Sequence, residues 1–263
     1  MRQDNPEPGL MKGVGRRVFV RSFFLETLWN YDKMQDVGFA FCMYPALARL
    51  YQDPEQRRAA LRKPRELINT HPAMAPLLTG MVTRLERDAD PVAVQPGRKR
   101  IMATLAAWGD RVFWGTVKPL AAVWGTLLSL WFFGSVAGAV TALMIYNVPQ
   151  MIARGFGFAE GWSRGLDVLT DLRSTGLTKA VGFMRGMLSL GLGMVAGAAV
   201  LSALAAGKTA AHAPWPGVAV GVLVVLVVAA YWLLHRRAPL SWVIYSISIC
   251  GIGIILIIGW MIR

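Results

Sequence analysis

Long stretches without a charged residue dominate the second half of the chain. Residues 119–153 contain no Asp, Glu, Lys or Arg, and the stretches 186–207, 213–234 and 238–262 are also uncharged. Because about 20 apolar residues carry an α-helix across a bilayer, each of the last three stretches predicts one crossing. The first stretch is long enough for a hairpin of two helices or for one long tilted helix. We favour the hairpin because it leaves the basic segments on one side of the membrane.

The first half alternates short uncharged segments with charged ones. From Arg16 onwards, apolar residues recur at helical spacing between basic residues, which predicts an amphipathic helix on a membrane surface or on a partner. Segments 37–48 and 68–83 are uncharged but too short to span, and they predict re-entrant or broken helices. Segment 51–67 predicts a charged helical hairpin or loop broken at its prolines, and 84–100 predicts a polar linker.

These patterns divide the chain into three parts. Residues 1–15 predict a disordered leader, because they are polar, carry proline and lack the apolar core of a signal peptide. Residues 16–118 predict an N-terminal part with amphipathic and short membrane-embedded helices and cytoplasmic loops, and residues 119–263 predict C-terminal transmembrane helices. The predicted fold class is all-α: a polytopic membrane helical protein with broken helices or hairpins and an N-terminal amphipathic helix, forming one integrated membrane domain.

Composition and charge support a membrane location. The chain is 55% apolar and 16% charged, with a net charge of +13, whereas soluble domains are about 45–50% apolar and about 25% charged. The basic excess lies in loops beside apolar runs, as in the positive-inside bias of membrane proteins, so we interpret it as a topological signal and expect no nucleic-acid partner. The same bias predicts a cytoplasmic N-terminus. Cys42 and Cys250 lie far apart in apolar surroundings and predict buried free thiols.

Glycines recur four residues apart in or beside the uncharged stretches. In lipid, such spacing lets helices approach closely, so it predicts a tightly packed bundle or an obligate membrane partner. The stretch GFGFAEG at 155–161 has no strand before it, which favours helix packing or a turn over a phosphate-binding loop. The glycine sets are Gly134/Gly138, Gly157/Gly161/Gly165, Gly193/Gly197 and Gly217/Gly221.

The sequence carries no enzyme signature: no P-loop, no nucleophile elbow and no spacing typical of metal ligands. We therefore predict no catalytic residue, no metal and no cofactor. What remains is a set of polar residues in or beside apolar segments, where a polar group is costly and usually functional. Members of this set are Trp29, Asn30, Gln35, Asn69, Thr70, His71, Gly109, Asp110 and Asn147.

Carboxylates and amides beside tryptophan suit a sugar, because they hydrogen-bond hydroxyl groups while an indole face packs against the ring. Each residue can also be a helix cap, a satisfied buried amide or part of an interfacial aromatic belt. The five residues that we predict to line or support a sugar path are Trp29, Asn30, Gln35, Asn69 and Asp110.

At these residues the chain resembles the IID membrane subunit of the mannose/fructose/sorbose family of the bacterial sugar phosphotransferase system. The resemblance begins at FVRSFFLETLWNYDKMQDVGFAFCMYPALARLY and continues through LINTHPAMAPLLTGMVTRLE. It is clearest at GDRVFWGTVKP, where the family has G-D-x-[IL]-F-W-G-T-[VL]-[RK]-P, and a weaker match covers NVPQMIARGFGFAEGWSRGLDVL. It extends from about Arg16 to the C-terminal APLSWVI, which suits the last span of the family.

The resemblance implies a sugar permease subunit in the bacterial cell (inner) membrane. Such subunits pair with a IIC subunit as a trimer of heterodimers and import a hexose-type sugar by alternating access. Phosphate reaches the sugar through IIA and IIB phosphocarrier proteins, and the IID subunit is itself not phosphorylated, so the chain is expected to be a non-enzymatic transporter subunit.

The chain departs from the family pattern immediately before Gly109-Asp110. The family has M-G-P-L-A-G-[IV] where this chain has MATLAAW, so Ala103, Thr104 and Trp108 are departures. A tryptophan beside a binding carboxylate is expected to narrow or reshape the sugar pocket. The same departures motivate an alternative function, a permease-derived membrane scaffold or sensor that has lost transport.

Overall fold

The computed structural model describes residues 11–62, 67–131, 135–172 and 175–209, and within these ranges the secondary structure is helical without a β-strand. The all-α prediction is therefore confirmed. The predicted crossings at 213–234 and 238–262, together with Cys250, lie outside the described residues. The chain divides into two compact units after Leu192. All packing described below is within the first unit, and in the second only the helical residues 193–209 are described.

The first helix begins earlier than the sequence predicts. It spans Lys12–Ser22 (α1) and is followed by turns up to Leu28. The predicted disordered leader is therefore wrong for residues 12–15, and burial of Met11 and Val14 explains why this part is ordered. The chain turns at Ser22, whose hydroxyl donates to the carbonyl oxygen of Phe19 at 2.6 Å. A side chain that competes for backbone groups in this way favours the end of a helix.

Four helices build the buried core of the N-terminal part. Proline stands in the first turn of three of them and of the short 3-10 turn Pro72–Met74, where it costs no hydrogen bond. The predicted breaks at Pro54, Pro72 and Pro76 are therefore helix starts, and Pro64 lies outside the described residues. The four helices are α2 (Asp36–Leu50), α3 (Pro54–Arg62), α4 (Ala75–Asp88) and α5 (Pro91–Gly109).

The predicted polar linker at 84–100 is wrong, because nearly all of it is helical. Its charges are used inside the protein. Glu86 of α4 and Arg98 of α5 are buried and form an ion pair at 2.5 Å, and the hydroxyl of Tyr51 donates to Glu86 at 2.8 Å. Charged residues at these two positions therefore join helices rather than solvate a loop.

Helix α5 continues without interruption into a π-helix, Asp110–Val117, and then into α6, Lys118–Trp131. The hydroxyl of Thr116 donates to the carbonyl oxygen of Arg111 at 2.9 Å. Arg185, in the later helix α9 (Thr175–Thr209), donates to Thr116 at 3.2 Å. These bonds support the wide turn. A π-helical segment is rare and is frequently found at functional sites. Asp110 is its first residue, so it lies in a changed helical register rather than at the tip of a broken helix.

Two helices occupy the described part of 118–164, where the sequence predicts a hairpin of two crossings within 119–153, and the number of crossings stays a prediction. Helix α6 packs side by side with α7 (Ser135–Arg164), and the two run antiparallel. A Cβ atom at Gly138 would overlap the carbonyl of Gly125 and the side chain of Ser129, so the crossing requires small residues. Within the described residues, the stretch Val136–Leu172 is long and apolar enough to cross a membrane, and its most apolar 18-residue window has a mean hydropathy of 1.4. It includes the 3-10 turn Gly165–Asp167 and α8 (Val168–Leu172).

Helix α7 runs parallel to α4 along the glycines at 157, 161 and 165. A Cβ atom at Gly161 would lie 2.7 Å from the carbonyl oxygen of Leu77, and one at Gly80 would lie 2.9 Å from that of Phe158. The predicted close packing at these glycines is thus confirmed, and GFGFAEG is part of a helix crossing. Among the described residues, no atom lies within 4 Å of a Cβ placed at Gly193 or Gly197. Gly134, Gly217 and Gly221 lie outside the described residues, so close packing at these three sets stays a prediction except at Gly138.

Helix α1 runs antiparallel to α7 in a four-residue register. Gly15 lies against Trp162, the rings of Phe19 and Phe158 are 5.2 Å apart, and the Arg154 guanidinium lies 4.7 Å from the Phe23 ring. One face of α7 therefore holds α4 and another holds α1. The last described helix, α9 (Thr175–Thr209), contacts α6 through a hydrogen bond from Trp124 Nε1 to the carbonyl oxygen of Met187 at 3.2 Å.

Candidate functional site

Three segments far apart in sequence meet where the polar residues cluster. The loop at 23–36 pairs with the segment at 67–71 through isolated bridges from Met34 to Asn30 and to Ile68. The amide of Gln35 donates to the carbonyl oxygen of Ile68 at 2.9 Å. The start of the π-helix then packs on the same segment, since a Cβ atom at Gly109 would lie 2.7 Å from Cβ of His71. All five predicted site residues belong to these three segments.

Gln35 is buried and its side chain is fully used within the protein. Its amide nitrogen donates to the carbonyl oxygen of Thr70 at 2.8 Å and to a carboxylate oxygen of Glu26 at 2.9 Å. Its side-chain oxygen accepts from the backbone amide of Thr70 at 2.9 Å. A side chain with these bonds fixes the position of the 67–71 segment, so Gln35 supports the site rather than offering its amide to a ligand.

Asn30 holds the loop that carries Gln35. Its side-chain oxygen accepts from the backbone amides of Asp32 and Lys33 at 3.1 and 2.8 Å, and its side-chain nitrogen donates to Asp36 at 2.6 Å. Within this loop Met34 adopts a φ of 59°, a left-handed conformation that is costly for methionine and is tolerated because bonds on both sides enforce it. Trp29 is exposed and packs its ring edge-on against Tyr31, 4.8 Å away.

His71 links the 67–71 segment to the π-helix. Its Nδ1 accepts from the backbone amide of Ala73 at 3.1 Å, which caps the 3-10 turn, and its ring stacks on Phe113 at 4.5 Å. Burial, and then the positive charges of Arg154 and Lys118, lower the pKa of His71 to about 4. This residue lies in a loop outside the spanning stretch, and at neutral pH its ring is uncharged.

Asn69 and Asp110 are the predicted polar residues that remain available to a ligand, since both are exposed, and Trp29 is exposed as well. Asn69 lines a cavity of about 370 Å³, which is within the usual size of small-molecule sites. Asp110 follows the lining residue Ala106 by four residues, and this spacing places it one turn further along the same helical face. The cavity is lined by Leu67, Asn69, Lys99, Met102, Ala103 and Ala106.

Trp108, which was expected to narrow or reshape the sugar pocket, does not line this cavity. Trp108 is buried, is not one of the lining residues, and lies 5.4 Å from the Arg111 guanidinium that covers its ring. Ala103 is the departure from the family pattern that does reach the cavity. Trp108 is thus accommodated by packing inside the protein. Ala103, about one and a half helical turns earlier, changes the lining of the cavity.

Sequence reasoning missed Arg154, which α7 brings to the turn at 71–74. It is buried beneath Phe23, although it is charged. The signal was present: Arg154 is the first charged residue after the uncharged stretch 119–153, and a charge at that depth is costly unless it has a role.

With this geometry established, comparison with known proteins identifies the family. The family model EIID-AGA, described as "PTS system mannose/fructose/sorbose family IID component", matches residues 10–261. The chain is 30% identical over 278 residues to the "PTS system mannose-specific EIID component" of Escherichia coli (strain K12), and the alignment covers 95% of each chain.

Solved structures agree with the family and with a membrane location. A chain described as "Structure of membrane protein" matches with a TM-score of 0.66 at 26% identity, covering 93% of this chain and 96% of that one. A chain from the "CryoEM Structure of Mannose Transporter ManYZ and Microcin E492 (MceA) complex" matches with a TM-score of 0.54 at 28% identity, covering 95% and 97%. The chain is an all-α membrane protein and belongs to the IID components of the mannose/fructose/sorbose family of the sugar phosphotransferase system.

Proposed function

We propose that this chain, together with a IIC subunit, forms the path by which a hexose-type sugar enters a bacterial cell. The observation that carries the proposal is the cavity of about 370 Å³ lined by Asn69, with Asp110 one helical turn beyond it. An amide and a carboxylate beside a cavity of this size can hydrogen-bond several sugar hydroxyls at once. Gln35 hydrogen-bonds the 67–71 segment, which presents Asn69. Asn30 holds the loop that carries Gln35, and Trp29 is exposed on that loop.

The proposal extends to the assembly around the chain. A solved relative is part of a mannose transporter complex, which supports a IIC partner here. We further propose that the complex is a trimer of IIC–IID heterodimers and that IIA and IIB phosphocarrier proteins phosphorylate the arriving sugar, so that the chain itself is not an enzyme. The match to the family model over residues 10–261 and the likeness to the transporter do not favour the alternative of a scaffold or sensor without transport.

A multi-pass arrangement in the inner membrane with a cytoplasmic N-terminus belongs to the same proposal. The net charge of +13 supports it, because basic residues are retained on the cytoplasmic side. A single-cysteine label placed at Gly13, which is exposed and where a Cβ atom would meet no described atom within 4 Å, checks the orientation. Modification of that cysteine by an impermeant thiol reagent in intact spheroplasts, without lysis, would contradict a cytoplasmic N-terminus.

Substitution of Asp110 by asparagine tests the sugar path. Asp110→Asn keeps the shape of the side chain and removes its charge, so we expect complex assembly to be unchanged and uptake of mannose, fructose or sorbose to fall by at least about ten-fold, as expected when a charged hydrogen bond is lost. Uptake of labelled sugar by cells that also produce the IIC, IIA and IIB proteins is the measurement.

The matched control is Asp167→Asn, the same change at an exposed aspartate beyond the end of α7, which is expected to transport normally. Wild-type uptake by Asp110→Asn would refute the role of Asp110. If no sugar is phosphorylated in a phosphoenolpyruvate-dependent way by membranes containing the wild-type chain and its partner, the scaffold alternative is correct instead.

A further inference from the structure

Within the described residues, three buried polar side chains around the 71–74 turn have atoms without a hydrogen-bond partner. They are the Nε and Nη1 atoms of Arg154, the Nε2 atom of His71 and the hydroxyl of Thr70. Arg154 is 9% exposed and His71 is 2% exposed. Buried polar groups are nearly always paired, so three neighbouring exceptions indicate a partner that the described part of the chain does not supply.

The helix packing brings these side chains together. Helix α7 runs parallel to α4, with Gly157 against Leu77 and Gly161 against Met81. The same register places Arg154 beside the 3-10 turn that His71 caps, and α7 contacts this turn. Phe23 covers the guanidinium from the α1 side at 4.7 Å.

The unpartnered atoms share one chemical property, which is that each can donate a hydrogen bond. The Arg154 nitrogens are donors only. Nδ1 of His71 accepts from Ala73, so in the neutral ring Nε2 carries the proton and is a donor. The missing partner is therefore an acceptor oxygen.

We propose that Arg154 and His71 donate hydrogen bonds to a hydroxyl oxygen of the transported sugar. Thr70 belongs to the same contact, since its backbone is held in place by Gln35 and its own hydroxyl has no other partner. A hydroxyl group suits this cluster because its oxygen can accept a hydrogen bond from Arg154 or from His71. The inference rests on the proposed function, and it adds α7 to the elements that contact sugar.

Sugars that lack single hydroxyl groups provide the test. The purified IIC–IID complex is titrated with mannose, fructose and sorbose, and then with each mono-deoxy form of the sugar that binds best. Arg154→Met removes the donors and keeps the length of the side chain. We expect it to weaken binding of the parent sugar at least ten-fold, and to bind one deoxy sugar as well as the wild-type complex does. That deoxy sugar identifies the contacted hydroxyl.

The control is Arg164→Met, the same change on the same helix at an exposed arginine that pairs with Glu160 and Asp171, and it is expected to bind all sugars normally. If Arg154→Met does not yield an assembled complex, Arg154→Lys is compared in the same series, because it keeps the charge but loses the guanidinium donors. His71→Phe, which keeps an aromatic ring against Phe113, is expected to lose discrimination against the same deoxy sugar.

Two outcomes overturn the inference. The first is unchanged binding in both Arg154 variants. The second is a loss that is equal for the parent and for every deoxy sugar, which is what a purely structural role produces. Failure of the proposed function gives a different result, because the wild-type complex then binds none of the three sugars. That result overturns the inference as well.

Discussion

Helices α2, α4 and α5 enclose their apolar side chains, whereas α7 directs comparable side chains outward. Phe39, Met43 and Met81 are buried completely, but Phe156 of α7 is 71% exposed and Leu143 is 56% exposed. Only 11% of the most apolar part of the α7 stretch is buried inside the protein. The apolar side chains of α2, α4 and α5 are thus explained by an internal core, and those of α7 by an apolar environment around the protein.

The contrast also shows how polar groups are used. The enclosed region tolerates charge where the charge is paired, as in the buried Glu86–Arg98 bridge. On α7 the described charges lie near its C-terminal half, where Arg154 faces the candidate site and Arg164 pairs with Glu160 and Asp171. Three substitutions test this difference.

The largest effect is expected from Arg98→Met in the enclosed region. The change leaves the Glu86 carboxylate buried without its guanidinium, and breaking a buried pair in this way costs about 3–5 kcal/mol of stability. The measurement is thermal unfolding of the protein purified in detergent with its partner. Arg58→Met is the control, because Arg58 pairs with Glu55 at an exposed position and should matter by less than about 1 kcal/mol. Equal stability of the two variants would show that the core does not depend on the bridge.

A lysine on the outward face of α7 is expected to have the next largest effect. Leu143→Lys places a charge in the spanning stretch, at a cost of about 2.5–3.5 kcal/mol for a central position in a membrane helix. After alkali extraction of the membranes, we expect a smaller fraction of the variant than of the wild-type protein to remain in the membrane pellet. Val92→Lys is the control, since Val92 is 84% exposed in the enclosed region and should accept lysine. Equal tolerance at both positions would mean that the α7 face meets water.

The smallest of the three effects is expected where the two regions join. Gly161→Ala puts a methyl group 2.7 Å from the carbonyl oxygen of Leu77 and 2.9 Å from the amide of Met81. Because both atoms belong to the backbone of α4, they cannot move aside cheaply, and we expect a loss of about 1–3 kcal/mol in the same thermal assay. Gly155→Ala on the same helix meets no atom within 4 Å and should be neutral or slightly stabilising. A neutral Gly161→Ala would refute the tight crossing.

The close helix crossing at the glycines 157, 161 and 165 could be predicted from sequence, because glycine spacing acts locally. The prolines were recognised as helix boundaries, but the sequence predicted breaks where the structure has helix starts. The segment at 84–100 could not be predicted, since its charges are typical of a solvated loop and only the tertiary structure pairs Glu86 with Arg98. The π-helix at Asp110–Val117 was equally hidden, because its register depends on Thr116 and on Arg185 of a distant helix.

The sequence predicted where the candidate site lies, but not which of its residues are bound within the protein and which are exposed. The five predicted residues belong to three segments that do meet, yet Gln35 and Asn30 are bound within the protein, and Asn69 and Asp110 are exposed. Their roles in sugar binding stay predictions. Arg154 could not be assigned to this place from sequence, because only the register of α7 against α4 and α1 brings it there.

The register of α1 against α7 has a consequence for synthesis. Phe19 and Phe23 pair with Phe158 and Arg154, so about 130 residues must be translated after α1 before its neighbours exist. At roughly 5–20 residues per second, the aromatic face of α1 is without its final contacts for on the order of ten seconds. The bilayer surface is the nearest apolar phase in that interval, and the basic, amphipathic α1 is suited to it. The helix is thus expected to rest on the membrane first and to be enclosed by α7 afterwards.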